Sequence, residues 1–240
     1  MNLPEGDSHI AAKERILRAS SRLFSDKGYD ATRVNEIAQE AGVNKALIYY
    51  YFKNKEDILD TLLSSLSGEL ESISLSYVNK AIVSAYEEGS MRITSDGLSF
   101  ADEEKLELFV QTTDQYHRDL VDHMLERSEF FRILMLESLH RGRNSSSIMD
   151  IFKMANNYEN IPMYKNIFNA LKEYKDYTGP GNITAYYFFF VFLPAVNFVC
   201  FFSEYMPLLG SNEKVLKESF VRTLGKMFPV RIDGSDIVKD

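Results

Sequence analysis

The sequence predicts an all-α protein with a small three-helix head at the N-terminus, built around a helix-turn-helix, and a larger helical body behind it. Three observations carry this. Apolar residues recur at three- and four-residue spacing along nearly the whole chain. Two short apolar-faced segments flank Gly42, with Ala38 inside the first. No alternating strand pattern of any length, internal repeat or low-complexity tract interrupts the helical reading.

The elements follow in order. Ala12, Ile16, Ala19 and Leu23 mark one face of a first helix, which Lys27-Gly28 ends. Val34, Ile37, Ala38 and Ala41 give a second, short helix broken by Gly42. A third runs over about 45–52. Asn54, with Asp57 three residues on, resembles a capping arrangement for a fourth helix carrying Ile58, Leu59, Leu62, Leu63 and Leu66. Beyond it, helices are predicted over about 70–87, 102–126, 129–139, 148–177, 183–205 and 213–228. Breaks are expected at 89–97, 141–147, 178–181 and 207–211. The first eight and last ten residues read as terminal arms. The organisation expected is a helix-turn-helix domain over 9–55 and a larger helical domain over 56–230.

The bulk numbers agree with a globular protein. Of 240 residues, 45% are hydrophobic and 26% charged, enough to bury a sizeable core. The single cysteine, Cys200, excludes an intrachain disulfide, and the start MNLPEGDSHI lacks the basic-then-apolar pattern of a secretion signal; a reducing cytoplasm is the expected compartment. The net charge of -8 is unlike that of a nucleic-acid binder until its distribution is read. From His9 to Ile58, nine Lys and Arg stand against seven acids; from Leu59 on, 18 bases face 26 acids. The basic residues are concentrated where the helix-turn-helix lies.

That motif is the strongest local signal: VNEIAQEAGVNKALIYYYF, Val34 to Phe52. Ala38 is small enough for a second helix to cross closely. Gly42 supplies the turn residue that tolerates positive φ. Ile37, Ala41, Val43, Ile48 and Tyr51 fall where they lock the helices together. Asn44, Lys45, Leu47, Tyr49 and Tyr50 form a polar and aromatic face able to enter a major groove.

The segment from Ile16 to Leu63 resembles the DNA-binding domain of TetR-family regulators. The landmarks are Ala19, Leu23, Phe24, Gly28-Tyr29, Ala31-Thr32, Ile37-Ala38, Ala41-Gly42-Val43, Lys45, Ile48-Tyr49, Tyr51-Phe52-Lys53-Asn54-Lys55 and Leu59. The resemblance implies residue roles. Thr32 and Arg33, at the start of the second helix, would hold a phosphate. Asn44, Lys45, Ala46, Leu47 and Tyr49 would face base edges and the neighbouring backbone. Tyr50, often histidine in the family, would reach a phosphate through its hydroxyl, and Lys55 would pair with another. Arg33 stands where a threonine or serine is common, and Leu47 offers a thymine methyl contact but no hydrogen bond.

Past Leu66 the resemblance is architectural only: a helical body whose last two helices form a homodimer interface. Phe109, Tyr116, Met124, Phe130, Phe131, Met135, Phe152, Met154, Tyr158, Tyr186, Phe189 and Phe190 are the candidate lining of an apolar cavity. Ile183 to Phe202 carries no charge and has the length of a membrane span. Pro194, Asn197 and Thr184 favour burial in a core shared by pocket and dimer interface. His117, His123 and His140 lie among acids, with Asp119 and His123 four apart. They read as solvated polar faces, since no two histidines have the spacing of a helical zinc pair. Cys200 reads as an inert buried thiol.

The function these features predict is a sequence-specific transcriptional regulator, a repressor that leaves a palindromic double-stranded operator when a small apolar or amphipathic effector binds. The alternative is a membrane-associated regulator spanning at 183–202. No cofactor, metal site or enzyme constellation is expected.

Overall fold

The computed structural model describes residues 5–94, 97–139, 188–210, 212–226 and 230–232. These fall into two compact units, one holding 5–68 with 127–139, the other 69–126 with the stretch from 188 onward.

In the first unit, α1 (Glu5–Lys27), α2 (Val34–Ala41) and α3 (Lys45–Tyr51) precede α4 (Lys55–Tyr77), whose N-terminal part belongs here. The core is what the periodicity requires. Ile16, Phe24, Ile37 and Ile58 are fully buried, with Ile48, Phe52 and Leu59 almost so. Gly42 ends α2 at φ 63°. Its N–H donates to Gln39 O (3.2 Å) and that of Val43 to Ala38 O (3.0 Å), a Schellman closure that turns the chain into α3. An L-residue there carries a Cβ penalty of about 1–2 kcal/mol. Gly42→Ala is therefore expected to lower unfolding free energy by about that amount, read as a shift in the urea midpoint at unchanged slope.

The same unit contains α7 (Ser128–Leu139), which packs on α1. Ser21 Oγ donates to Glu129 Oε2 at 3.1 Å, and Phe131, Ile133 and Leu134 on α7 are buried. Arg127 alone separates α7 from the preceding helix, which ends at Glu126.

The second unit begins inside α4. A π-helical turn, Val78–Val83, follows Tyr77 without a break and leads into the short α5 (Ser84–Glu87). Then come β1 (Met91–Thr94), β2 (Gly97–Phe100) and the long α6 (Glu103–Glu126), started by the Asp102 carboxylate accepting from Lys105 N–H at 2.8 Å. After a π-helical turn at Phe188–Phe192, α8 (Leu193–Leu209), α9 (Glu213–Gly225) and β3 (Val230–Ile232) complete the described chain. The sheet order is β1-β2-β3: β1 antiparallel to β2, with Met91 opposite Phe100, and β2 parallel to β3, with Leu98 opposite Val230. Its inner residues Met91 and Phe100 pack with Ala81 and Phe109. A second cluster joins Val121, Val191, Val221 and Leu224, with Phe198 stacked on Phe220 at 4.2 Å. Arg118–Glu218 and Lys217–Asp122 ion pairs stitch α6 to α9.

The structure is all-helical in its main elements, as expected, and differs in detail. The predicted break at 89–97 holds the first strand of a small sheet. Strands of three or four residues are too short to show alternation, and the partner of β2 on one side lies far along the chain. The helices read separately at 58–66 and 70–87 are consecutive helical turns without a break at Gly68. Residues 5–8, read as arm, belong to α1. The helix before 207–211 passes through Pro207 to Leu209, where Gly210 at φ 59° ends it. Among the described residues no helix is long and apolar enough to cross a membrane. The helix predicted at 148–177, with Phe152, Met154 and Tyr158, lies outside the described residues, as does Tyr186.

Candidate nucleic-acid interface

The recognition face is held by α3. Asn44 caps it, its Oδ1 accepting Leu47 N–H at 2.8 Å, and Ile48, 1% exposed, anchors it to the core. The opposite face is left to solvent. Lys45, Ala46, Tyr49 (50% exposed) and Tyr50 (72%) all project outward, and Leu47 is half-buried. Large aromatic side chains left that open on a rigid seven-residue helix are poor for solubility alone and suited to contact. Lys45 Nζ sits 5.8 Å from the Tyr49 ring centre, and Tyr50 meets Tyr51 edge-on at 5.0 Å.

The elements around α3 are fixed by reciprocal caps. At the start of α4, Asn54 Oδ1 accepts Asp57 N–H and Asp57 Oδ2 accepts Lys53 N–H, both at 2.8 Å. At the start of α2, Arg33 has no acceptor side chain. Glu36 instead reaches back to Arg33 N–H (2.7 Å) and pairs with Lys27 Nζ (2.6 Å). The bonds from Lys27 and the Arg33 amide hold the Glu36 carboxyl below its ordinary range.

Two residues assigned to phosphate by resemblance face inward. Thr32 is 1% exposed, and its hydroxyl is within reach of Gly28 O (2.8 Å) and Leu23 O (3.2 Å). It closes the α1–α2 loop. Lys55 Nζ donates to Tyr29 O (2.6 Å) and Thr32 O (2.8 Å) and lies 4.0 Å from the Tyr29 ring centre. Its ammonium gathers the same loop. The outward candidates are thus Arg33, Asn44, Lys45, Ala46, Tyr49 and Tyr50.

Residues 16–62 match the model of the tetR family of bacterial regulatory proteins. This head is a tetR-family domain. The uncharacterized HTH-type transcriptional regulator YerO of Bacillus subtilis is 51% identical over 47 residues, which are 20% of this chain and 16% of YerO. The match therefore spans under a fifth of that relative's length. Two solved structures carry the likeness through the fold. A TetR family transcription regulator from Marinobacter aquaeolei superposes with TM-score 0.56 at 20% identity, covering 92% of this chain and 97% of that one. Bacillus subtilis FadR, solved in complex with stearoyl-CoA, gives 0.50 at 19% identity, covering 89% and 98%. The described chain has the fold of these tetR-family regulators.

Behind the tetR-family head, the candidate effector residues separate. Phe109, Tyr116 and Met124 are buried on one face of α6 in the second unit. Phe131, fully buried, and Met135 belong to α7 in the first. Phe189 and Phe190 are more than half exposed, and Phe189 lines an open depression of about 450 Å³ with Leu193, Pro194, Asn197 and Phe198. Phe152, Tyr158 and Tyr186 lie outside the described residues.

The buried face of α6 also holds polar groups. Tyr77 and Tyr116 stack at 4.2 Å; their hydroxyls bond those of Thr113 (2.9 Å) and Ser74 (3.3 Å). His117 is 1% exposed, not solvated as its acidic neighbours suggested. The signal was its spacing, since Thr113, His117, Leu120 and Met124 share one stripe. Burial drives His117 down to about 4 from 6.5. The unfolded chain then binds more protons between those values, so stability falls as pH drops from 6.5 towards 4. Equilibrium unfolding across that window should show the slope, and His117→Phe should flatten it. His123 Nε2 lies 3.0 Å from Glu69 Oε2. Among the described residues no group of acids, histidines and cysteines could hold a metal.

Proposed function

We propose that this chain is a ligand-responsive transcriptional regulator, a repressor. It binds palindromic operator DNA as a homodimer and releases it when a small apolar or amphipathic effector occupies the C-terminal body. The observation that carries the reading is α3: a capped, core-anchored helix of a tetR-family head presenting Lys45, Ala46, Tyr49 and Tyr50 to solvent.

A single short helix grips DNA weakly, so two heads are needed, set about 34 Å apart to enter successive major grooves. Exposed Phe201, Tyr205, Leu208, Leu209 and Val215 on the last two helices support the dimer. α4 contributes residues to each unit, and an effector would act on the head through it. An effector need favour the releasing arrangement by only a few kcal/mol. Buried aromatics and methionine on α6 suit an apolar ligand, and a related fold accommodates an acyl-CoA. A cytoplasmic protein acting on DNA, with no catalysis of its own, fits this reading.

Selection from a random duplex library should return a palindrome, and the protein should elute at twice its 27.6 kDa chain mass. Tyr49→Ala and Lys45→Ala should each weaken operator binding by roughly 1–3 kcal/mol at particular base pairs. A monomer that selects no sequence would defeat the proposal.

A further inference from the structure

Resting on the effector reading above, we propose that His117 is the polar anchor of the effector site. The group it receives is a single uncharged oxygen function, a hydroxyl or carbonyl, at the end of an apolar skeleton.

His117 Nδ1 is buried and has no hydrogen-bond partner among the described residues. A desolvated imidazole nitrogen left without a partner destabilises the fold, and folded proteins seldom keep one without a use. Neighbouring side chains could have answered it. One turn before it, Thr113 is engaged with Tyr77, and next to it the Tyr116 hydroxyl is engaged with Ser74. The four hydroxyls satisfy one another in pairs across the α4–α6 seam and leave the imidazole over.

The charge balance selects the ligand. The ring stays neutral at cellular pH, and the Tyr77 phenol, pushed up to about 12 by burial, stays protonated. The charged groups flanking His117 on α6 are directed elsewhere. Arg118 pairs with Glu218, and the Asp114 carboxylate lies against Gly225. Among the described residues, a carboxylate or ammonium entering this seam would lose its hydration without meeting an opposite charge. A hydroxyl or carbonyl needs only one hydrogen bond, which Nδ1 can donate or accept according to its tautomer. Beyond His117 the same α6 face continues as the buried, apolar Leu120 and Met124, so a ligand held at Nδ1 would have to lay an apolar skeleton along them.

The test is titration calorimetry of the full chain with decan-1-ol, 2-decanone, decanoate and decyltrimethylammonium, on wild type, His117→Phe and His117→Asn. Wild type should bind the alcohol and ketone more tightly than either ion. His117→Phe should lose at least tenfold on the alcohol and ketone, although removing the orphaned nitrogen leaves it as heat-stable as wild type or more so. His117→Asn, whose amide places a polar atom near Nδ1, should recover most of the affinity and guards against misfolding of the phenylalanine variant. Equal affinity of all three proteins for the alcohol would overturn the anchor role while leaving the apolar-effector reading standing. Tightest binding of decanoate or the ammonium would overturn the uncharged class. If wild type binds none of the four yet still selects an operator, the apolar-effector reading itself fails, and the anchor with it.

Discussion

Phe131→Ala is expected to destabilise the DNA-binding head by about 3–5 kcal/mol, the range for truncating a fully buried phenylalanine, although the residue lies far along the chain from the helix-turn-helix. Phe131 has no exposed surface and sits on α7, within the compact unit that holds α1, α2 and α3. The contact of α7 with α1 is polar as well as apolar. Ser20, Ser21 and Ser25 are buried on α1, and Ser21 bonds Glu129. A cavity at Phe131 should therefore loosen α1 and the recognition helix it supports. Hydrogen exchange resolved by segment measures this directly: amides of α1 and α7 should lose protection together, and operator affinity should fall. Were α1 to keep its protection while α7 alone exchanged faster, α7 would not be an integral part of the head.

That coupling was not legible in the sequence, and the reason is physical. The stripe Ala12, Ile16, Ala19, Leu23 accounts for one face of α1, and three serines beside it look like a solvated flank. Ser21 is small enough to be buried against another helix once its hydroxyl reaches Glu129, which is distant in sequence. Features set by neighbouring residues are legible. Gly42 takes the left-handed turn because no Cβ resists it, and Asn54 and Asp57 cap α4 because the geometry is complete within a few residues. The parallel pairing of β2 with β3 depends on residues more than a hundred positions apart, and no short window contains it. His117 is hidden from a local reading for a related reason: its acidic neighbours in sequence point around the helix, while its own position falls on the buried stripe.

Lys55 poses the sharpest contrast between resemblance and geometry. By resemblance its charge meets a DNA phosphate; in the structure its ammonium donates to Tyr29 O and Thr32 O and rests on the Tyr29 ring. Hydrogen bonds from a charged donor contribute about 1.5–3 kcal/mol each, less where water can compete, and the half-buried ring contact adds a fraction. Lys55→Met, which keeps the length of the side chain, is therefore expected to lower head stability by on the order of 3 kcal/mol. The loop that carries Thr32 and leads into α2 would lose what gathers it, and binding should weaken for every DNA sequence alike. The salt dependence separates the two roles. A lysine lost from a phosphate reduces the slope of log affinity against log salt by about one counterion. A lysine lost from the Tyr29 and Thr32 carbonyls leaves the slope where it was and appears as a lower melting temperature without any DNA present. The structure predicts the second pattern. An unchanged melting temperature with a slope reduced by one would place the ammonium on the DNA backbone and show that the carbonyl contacts give way when the complex forms.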